Sequence, residues 1–166
     1  AGLAYYGLHA LQHRGQQGCG IVSVASDGQF HRVTGDGLVS EVFNEQKLTK
    51  LPGKMAIGHV RYSNAGCKGT ENIQPFLFHH NSGDFAMANN GQIVNYNQLR
   101  QELEDKGSLF QSSSDAEVLA HLIKKQGTDK HLPRIHSLKN ALNMLDGAFS
   151  FLVMTGRRIY ACMSCN

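Results

Sequence analysis

Met55-Ala-Ile-Gly-His-Val-Arg-Tyr-Ser-Asn64 and, further along, Phe85-Ala-Met-Ala-Asn-Asn-Gly91 decide how this chain reads. Each begins as an apolar run of strand length and ends abruptly in polar residues that a core strand would not choose. Met55, Ala56, Ile57 and Val60 suit a buried strand, yet the run closes on Arg61. Phe85 to Ala88 do the same and close on Asn-Asn-Gly. A guanidinium, and an amide beside a glycine, both at strand ends, are parts suited to a small anionic substrate.

Working outward, Leu3 to Arg14 reads as an amphipathic helix with Leu3, Tyr6/Gly7 and Ala10/Leu11 on one face, and Gly15 suits its C′ position. Strands are predicted near Gly20–Ala25 and Gln29–Thr34, joined by Ser26-Asp27-Gly28, a strong hairpin signal. Val39 to Leu51 carries a helical repeat ended by Pro52-Gly53. After a polar, Gly-rich loop from Ser63 to Gln74, short strands are predicted at Phe76–His79 and Phe85–Ala88 around Asn81-Ser-Gly83. Asn95 with Gln98, and Ser114 with Glu117, are capping-box patterns opening two helices, the first stopped at Gly107. A third helix is predicted at about Leu132–Leu145. Gly147–Thr155 reads as a strand buried on both faces, with Arg158–Met163 as its hairpin partner. Strand pairs near both ends, with helices before and between, predict an α+β or layered α/β/β/α domain.

At 166 residues the chain predicts one domain with a full core, spanning 1–166. Hydrophobic content of 41% and charged content of 17% are those of a globular protein. The formal charge of +3 comes without a Lys/Arg block, so no nucleic-acid partner is expected. No apolar run approaches a membrane span. Cys19, Cys67, Cys162 and Cys165 lack the density of a disulfide scaffold, and a reducing cytoplasm is the expectation.

Each chemical candidate has a plain structural alternative. Arg61 either snorkels to water or presents its planar fork to a carboxylate. Asn89-Asn90-Gly91 is the composition of a type I′ turn. It is also that of an oxyanion hole, in which the Asn90 amide and the Gly91 N–H point at one oxygen, each donor worth about 3–4 kcal/mol in the transition state. Asp115 lies in the first turn of a helix that Ser114 and Glu117 can cap. It therefore either caps too or binds a cation such as an α-ammonium. His9 and His13 have metal-ligand spacing but no third ligand, and Cys162-Met-Ser-Cys165 has no partner pair, so no metal is assigned.

Taken in order, the motifs resemble one family. Leu11-Gln-His-Arg-Gly-Gln-Gln-Gly18, Gly58-His-Val-Arg-Tyr62, Glu71-Asn-Ile-Gln-Pro75, Asn90-Gly91 with Asn95 and Leu99, and Ser113-Ser-Asp-Ala-Glu117 are similar to the glutaminase domain of the amidophosphoribosyltransferases, over essentially the whole chain. These belong to the N-terminal-nucleophile amidotransferases. The resemblance implies an α+β fold of the four-layer α/β/β/α sandwich type, the N-terminal-nucleophile hydrolase fold. It also implies that an N-terminal cysteine takes the amide nitrogen from L-glutamine, with its own α-amino group as base. It assigns Arg61 to the glutamine α-carboxylate and Asp115 to the α-ammonium. Asn90 and Gly91 become the catalytic oxyanion donors, Tyr62 the pocket residue that rearranges, and Arg14 a neighbour of the site.

The family chain starts at Cys-Gly and runs a first strand into the helix that Ala1-Gly-Leu-Ala-Tyr-Tyr already matches. The nucleophile and a phosphoribosyltransferase domain are therefore expected to lie outside this chain. The expectation is a domain truncated at both ends, inactive alone, in a full-length homo-oligomer that feeds ammonia to phosphoribosylpyrophosphate for purine biosynthesis. No cofactor is expected in this stretch. Mg2+ with phosphoribosylpyrophosphate belongs to the full-length family, and an iron–sulfur cluster is left open. A non-catalytic glutamine-binding or scaffold domain, or the glutaminase domain of another amidotransferase of this class, is the alternative.

Overall fold

The computed structural model describes residues 1–62, 70–80, 83–126 and 134–164. Its strands are β1 (Gly18–Val24), β2 (Phe30–Asp36), β3 (Met55–Arg61), β4 (Phe76–Phe78), β5 (Phe85–Ile93), β6 (Gly147–Thr155) and β7 (Ile159–Met163). Its α-helices are α1 (Gly2–Ala10), α2 (Val39–Val42), α3 (Glu45–Thr49), α4 (Tyr96–Glu104), α5 (Ala116–Gln126) and α6 (Arg134–Leu142). They divide into two compact units, Ala1–Asn89 with Phe151–Cys162, and Asn90–Ser150 with Met163–Asn166. One sheet has the order β2-β1-β3, the other β4-β5-β6-β7.

In the first unit β1 is the central strand, antiparallel to both neighbours, and all its residues are buried because each face has cover. Cys19 and Ile21 point to a cluster with Leu8, Val39, Val42, Phe43 and Leu51. Val22 and Val24 point the other way, to Ile57, Ala86, Ala88 and Met154. Helix, sheet and second sheet are thus stacked as three layers here, a direct consequence of the period-2 alternation along β1. The β1–β2 hairpin closes on Ser26-Asp27-Gly28. The Gly28 N–H donates to Ala25 O, the Ala25 N–H to Gln29 O, and Gly28 has φ +88°. That is the three-residue loop with a left-handed glycine, not a two-residue turn.

Several expectations are corrected. The first helix ends at Ala10, and Gln12–Arg14 form a separate 3-10 turn. Its expected apolar face is the outer one, with Leu3 92% and Tyr6 71% exposed. The inner face is Leu8, with Ala1, Ala4 and Tyr5 partly buried, set against Ile21 and Phe43. Gly15 is extended, at φ 180°, and is no left-handed cap. The expected helix Val39–Leu51 is two helices, because the Asn44 side chain accepts the Lys47 N–H at 2.9 Å and starts α3 afresh.

In the second unit, Leu99 and Leu103 of α4, Val118, Leu119 and Leu122 of α5, and Leu138 and Ala141 of α6 are buried. Gly107, at φ +86°, ends α4 as expected, with the Ser108 N–H on Leu103 O and the Gly107 N–H on Glu104 O. The Asn95 capping box does not form. The Asn95 side chain bonds the Met144 carbonyl and the Asp146 N–H instead, joining β5 to the start of β6. β6 has the expected bounds but alternates, with Ala148, Ser150 and Leu152 exposed, so only one of its faces is covered up to Val153. The predicted third-helix start, the tip Asn81-Ser-Gly83 in part, and most of the loop Ser63–Gln74 lie outside the described residues.

Candidate functional site

The tip of β3 is built by the Gln12-His-Arg-Gly-Gln-Gln turn. The Gln12 side chain spans it, donating to Gly15 O at 2.6 Å and accepting the Val39 N–H at 2.7 Å. The Gln17 N–H donates to Arg61 O at 3.2 Å. A Cβ on Gly15 would lie 2.5 Å from the Arg61 carbonyl carbon and 2.8 Å from the Tyr62 nitrogen. Only glycine allows that approach, so Arg14 is held against the strand end that carries Arg61 and Tyr62. Arg61 is 8% exposed, whereas Arg14 and Tyr62 are open to solvent. The structure thus gathers these three residues in the first unit.

β5 does not stop at Ala88. It runs through Asn89-Asn90-Gly91 to Ile93, and no non-glycine residue among those described has positive φ. A type I′ turn requires positive φ at both central residues, so that alternative is removed. Asn89 is buried and paired reciprocally with Gln74. The Gln74 amide donates to Asn89 Oδ1, and the Asn89 N–H donates to Gln74 Oε1, both at 2.6 Å. Gln74 is itself clamped. The Arg32 guanidinium donates to Pro75 O at 2.9 Å and to Ile73 O at 2.6 Å. A Cβ on Gly20 would come within 2.4 Å of Gln74 O. Burial lowers the His59 pKa to about 4; the nearby Asn89 backbone opposes the drop and the Arg61 charge adds to it.

In the second unit Asn90 and Gly91 are exposed on β5. The Ser150 hydroxyl donates to Asn90 O at 3.4 Å. Gly91 has φ +127°, and a Cβ there would lie 2.2 Å from Ala148 O and 2.6 Å from the Phe149 Cα. Two residues on, the Ile93 N–H donates to Asp115 Oδ2 at 3.0 Å. Asn90, Gly91 and Asp115 are therefore joined through one short segment of β5. Asp115 is half-buried just before α5.

The second capping box is also rebuilt. The Ala116 N–H donates to Ser114 Oγ at 3.3 Å, but Glu117 does not reach back to Ser114. Its buried carboxylate accepts the Gln111 N–H, the Ser112 N–H and the Ser112 hydroxyl, at 2.6–2.8 Å. Burial pushes the Glu117 pKa up, yet the nearby His121 and the hydrogen bonds from Ser112 and Gln111 outweigh it and the pKa is lowered. His121 Nε2, at 3.6 Å, is an electrostatic neighbour rather than a good hydrogen bond. The loop leading into Asp115 is thereby fixed from inside.

Cys19 is fully buried, and burial raises its thiol pKa to about 11 despite the Lys47 charge. Burial raises the Cys162 thiol too. Cys67 and Cys165 lie outside the described residues. His9 is on α1 and His13 on the separate 3-10 turn. Among the described residues no three His, Cys, Asp or Glu side chains could hold a metal ion. No described helix is long and apolar enough to cross a membrane. Sequence reasoning missed His59, Gln74, Asn89 and Glu117 as individual residues. The only available signal was their polarity in otherwise apolar or motif-bearing stretches.

The glutamine amidotransferase domain family matches residues 59–163. The amidophosphoribosyltransferase of Bacillus subtilis is 52% identical over 99% of this chain and 34% of its own length. That of Lacticaseibacillus casei is 49% identical over 98% of this chain and 82% of its own length. Among solved structures, the B. subtilis glutamine phosphoribosylpyrophosphate amidotransferase complexed with ADP and GMP superposes with TM-score 0.87 at 50% identity, covering 96% of this chain and 34% of that one. A structure described as the allosteric regulatory enzyme of purine biosynthesis gives 0.91, also at 50% identity, covering 98% of this chain and 34% of that one. The chain spans about a third of the length of several curated relatives. With helices and antiparallel sheets like theirs, its fold is α+β, of the N-terminal-nucleophile hydrolase type. The chain belongs to the amidophosphoribosyltransferase family, as its glutamine amidotransferase domain.

Proposed function

We propose that this chain is the glutamine-hydrolysing domain of an amidophosphoribosyltransferase, a single domain that supplies ammonia to phosphoribosylpyrophosphate, giving phosphoribosylamine for purine biosynthesis. The observation that carries this is the presence, in a chain of that family, of a buried arginine at the tip of β3 and an Asn-Gly pair in β5 tied to Asp115. Arg61 binds the α-carboxylate of glutamine and Asp115 its α-ammonium, a charge match at both ends of the amino acid. The Asn90 side chain and the Gly91 N–H receive the oxyanion, and Tyr62 and Arg14 border the pocket.

By its family the attacking thiolate is that of an N-terminal cysteine of the whole protein; burial raises the thiol pKa of both Cys19 and Cys162. The cysteine's own α-amino group takes the thiol proton as the sulfur adds to the amide carbon. When the oxyanion collapses, the C–N bond breaks and that proton passes to the leaving nitrogen as ammonia. Water then hydrolyses the thioester to glutamate, freeing the thiol. Mg2+ with phosphoribosylpyrophosphate, and any iron–sulfur cluster, belong to parts of the protein outside this chain. The setting is cytoplasmic and the full protein a homo-oligomer. The test is the full-length protein, which should release glutamate from glutamine and be inactivated by an electrophilic glutamine analogue. Full activity after replacing the leading cysteine with alanine overturns the mechanism.

A further inference from the structure

Burying a carboxylate is unfavourable unless hydrogen bonds satisfy it. Glu117, 2% exposed in the first turn of α5, is satisfied by the chain just ahead of its own helix. It accepts the Gln111 N–H at 2.8 Å, the Ser112 N–H at 2.7 Å and the Ser112 hydroxyl at 2.6 Å. With its proton committed to Glu117, the Ser112 oxygen accepts from the Ser114 N–H at 3.3 Å. The Ser114 hydroxyl oxygen in turn accepts the Ala116 N–H at 3.3 Å, and Ser114 O accepts the Glu117 N–H at 3.2 Å. From the side of α4, Arg100 donates to Ser112 O at 3.2 Å and lies over the Phe110 ring, 4.4 Å from its centroid. The Tyr96 hydroxyl donates to Ser113 O at 3.4 Å.

Asp115 stands inside this ring of bonds. A peptide unit is rigid and planar, so a bond to either end of it fixes the whole unit. Ser114 O belongs to the peptide before Asp115 and the Ala116 N–H to the peptide after it. Both planes that flank the Asp115 Cα are therefore held, and with them the direction of its Cα–Cβ bond. The Val118 N–H on Asp115 O, at 3.2 Å, holds the second plane again. The carboxylate itself is tied at Oδ2 by the Ile93 N–H. Every residue involved lies in the second unit.

We propose that Ser112 and Glu117 are positioning residues for the substrate ammonium, acting through Ser114 on the two peptides that aim the Asp115 carboxylate. This rests on the ammonium role proposed for Asp115. The α-ammonium is remote from the amide being cleaved and carries its charge before and during the reaction. Its contact with Asp115 is therefore uniform binding, and a misaimed carboxylate raises KM while sparing the chemical step.

The experiment is steady-state ammonia release by the full-length protein as wild type, Ser112→Ala, Ser112→Thr and, as a control, Asp115→Asn. Each is assayed with glutamine and with glutaramate, which is glutamine without its α-amino group. Alanine removes the hydroxyl relay and threonine keeps it. Expected in Ser112→Ala is a KM for glutamine raised about tenfold with kcat within about threefold. Its kcat/KM for glutamine should fall about tenfold further than that for glutaramate, and Ser112→Thr should return this preference to within about threefold of wild type. A merely structural role weakens both substrates alike. Equal loss for the two substrates, or no loss at all, in Ser112→Ala overturns the positioning role, as does a preference that Ser112→Thr fails to restore. If Asp115→Asn loses the preference for glutamine alongside such a result, only this inference fails. A preference unchanged in Asp115→Asn overturns the ammonium reading beneath it.

Discussion

The Ile93 N–H donates to Oδ2 of Asp115 at 3.0 Å. This one bond ties the end of β5 to the start of α5, so the carboxylate proposed to read the substrate ammonium also holds the strand two residues beyond Gly91. Asp115→Asn keeps an oxygen acceptor for Ile93 and loses the charge. The expected result is slow hydrogen exchange at the Ile93 amide in wild type and Asp115→Asn, and fast exchange in Asp115→Ala. Equal protection in all three variants means that the bond does not set the local structure.

Glu117 is buried and accepts three hydrogen bonds from residues 111 and 112. Removing it leaves those donors unpaired, and hydrogen bonds to charged groups are each worth roughly 1.5–3 kcal/mol. Glu117→Ala should lower stability by about 2–4 kcal/mol in urea unfolding. Because the folded pKa is depressed, this contribution is present above the ordinary glutamate pKa and is lost as pH falls through the folded value. A loss below about 0.5 kcal/mol, as for an ordinary surface change, contradicts the role.

His59 predicts an acid limb of its own. Burial, with Arg61 adding to it, lowers its pKa from 6.5 to about 4 in the folded chain. On acidification the unfolded chain therefore binds the proton first. The associated stability is complete above the unfolded pKa and declines between 6.5 and about 4, by up to about 3 kcal/mol. Urea midpoints at pH 7 and pH 4.5 should differ less in His59→Gln than in wild type. The same difference in both contradicts a buried neutral histidine.

Gly91 has no room for a side chain, with Ala148 O 2.2 Å and the Phe149 Cα 2.6 Å from where a Cβ would stand, at φ +127°. Gly91→Ala should reduce stability by at least about 2 kcal/mol and abolish glutaminase activity in the full-length protein. Thermal unfolding and glutamate release check it; wild-type values for both would show that β5 can take another path.

Cys19 is buried between sheet and helices, with its thiol pKa raised to about 11. It should resist alkylation at pH 8 in the folded protein and react at once in urea. Mass spectrometry of the Cys19 peptide reads this directly. Rapid labelling of native protein would mean that the helix layer over β1 opens readily.

Much of this arrangement was legible where local chemistry agreed with tertiary structure. β3 and β6 have the expected ends, and Asp27-Gly28 and Gly107 turn the chain as their left-handed geometry requires. Arg61, Gly91 and Asp115 stood out because each sits where a pattern breaks. What was not legible is long-range. Asn44, Asn95 and Glu117 have the composition of local caps, but Asn95 and Glu117 bond elsewhere, and Asn44 splits a helix that periodicity had joined. Gly15 looked like a helix terminator because nothing nearby in the sequence announces the Arg61 backbone against it. Asn89-Asn90-Gly91 has the composition of a turn because its partners, Gln74 and Ser150, come from other elements.

The central claim is that this chain holds free L-glutamine by its two charged ends. Calorimetric titration with glutamine of wild type, Arg61→Ala and Asp115→Ala tests it most directly. The account predicts a saturable 1:1 heat for wild type and affinity reduced at least about tenfold in each variant, with folding intact. Equal binding by all three proteins would contradict it.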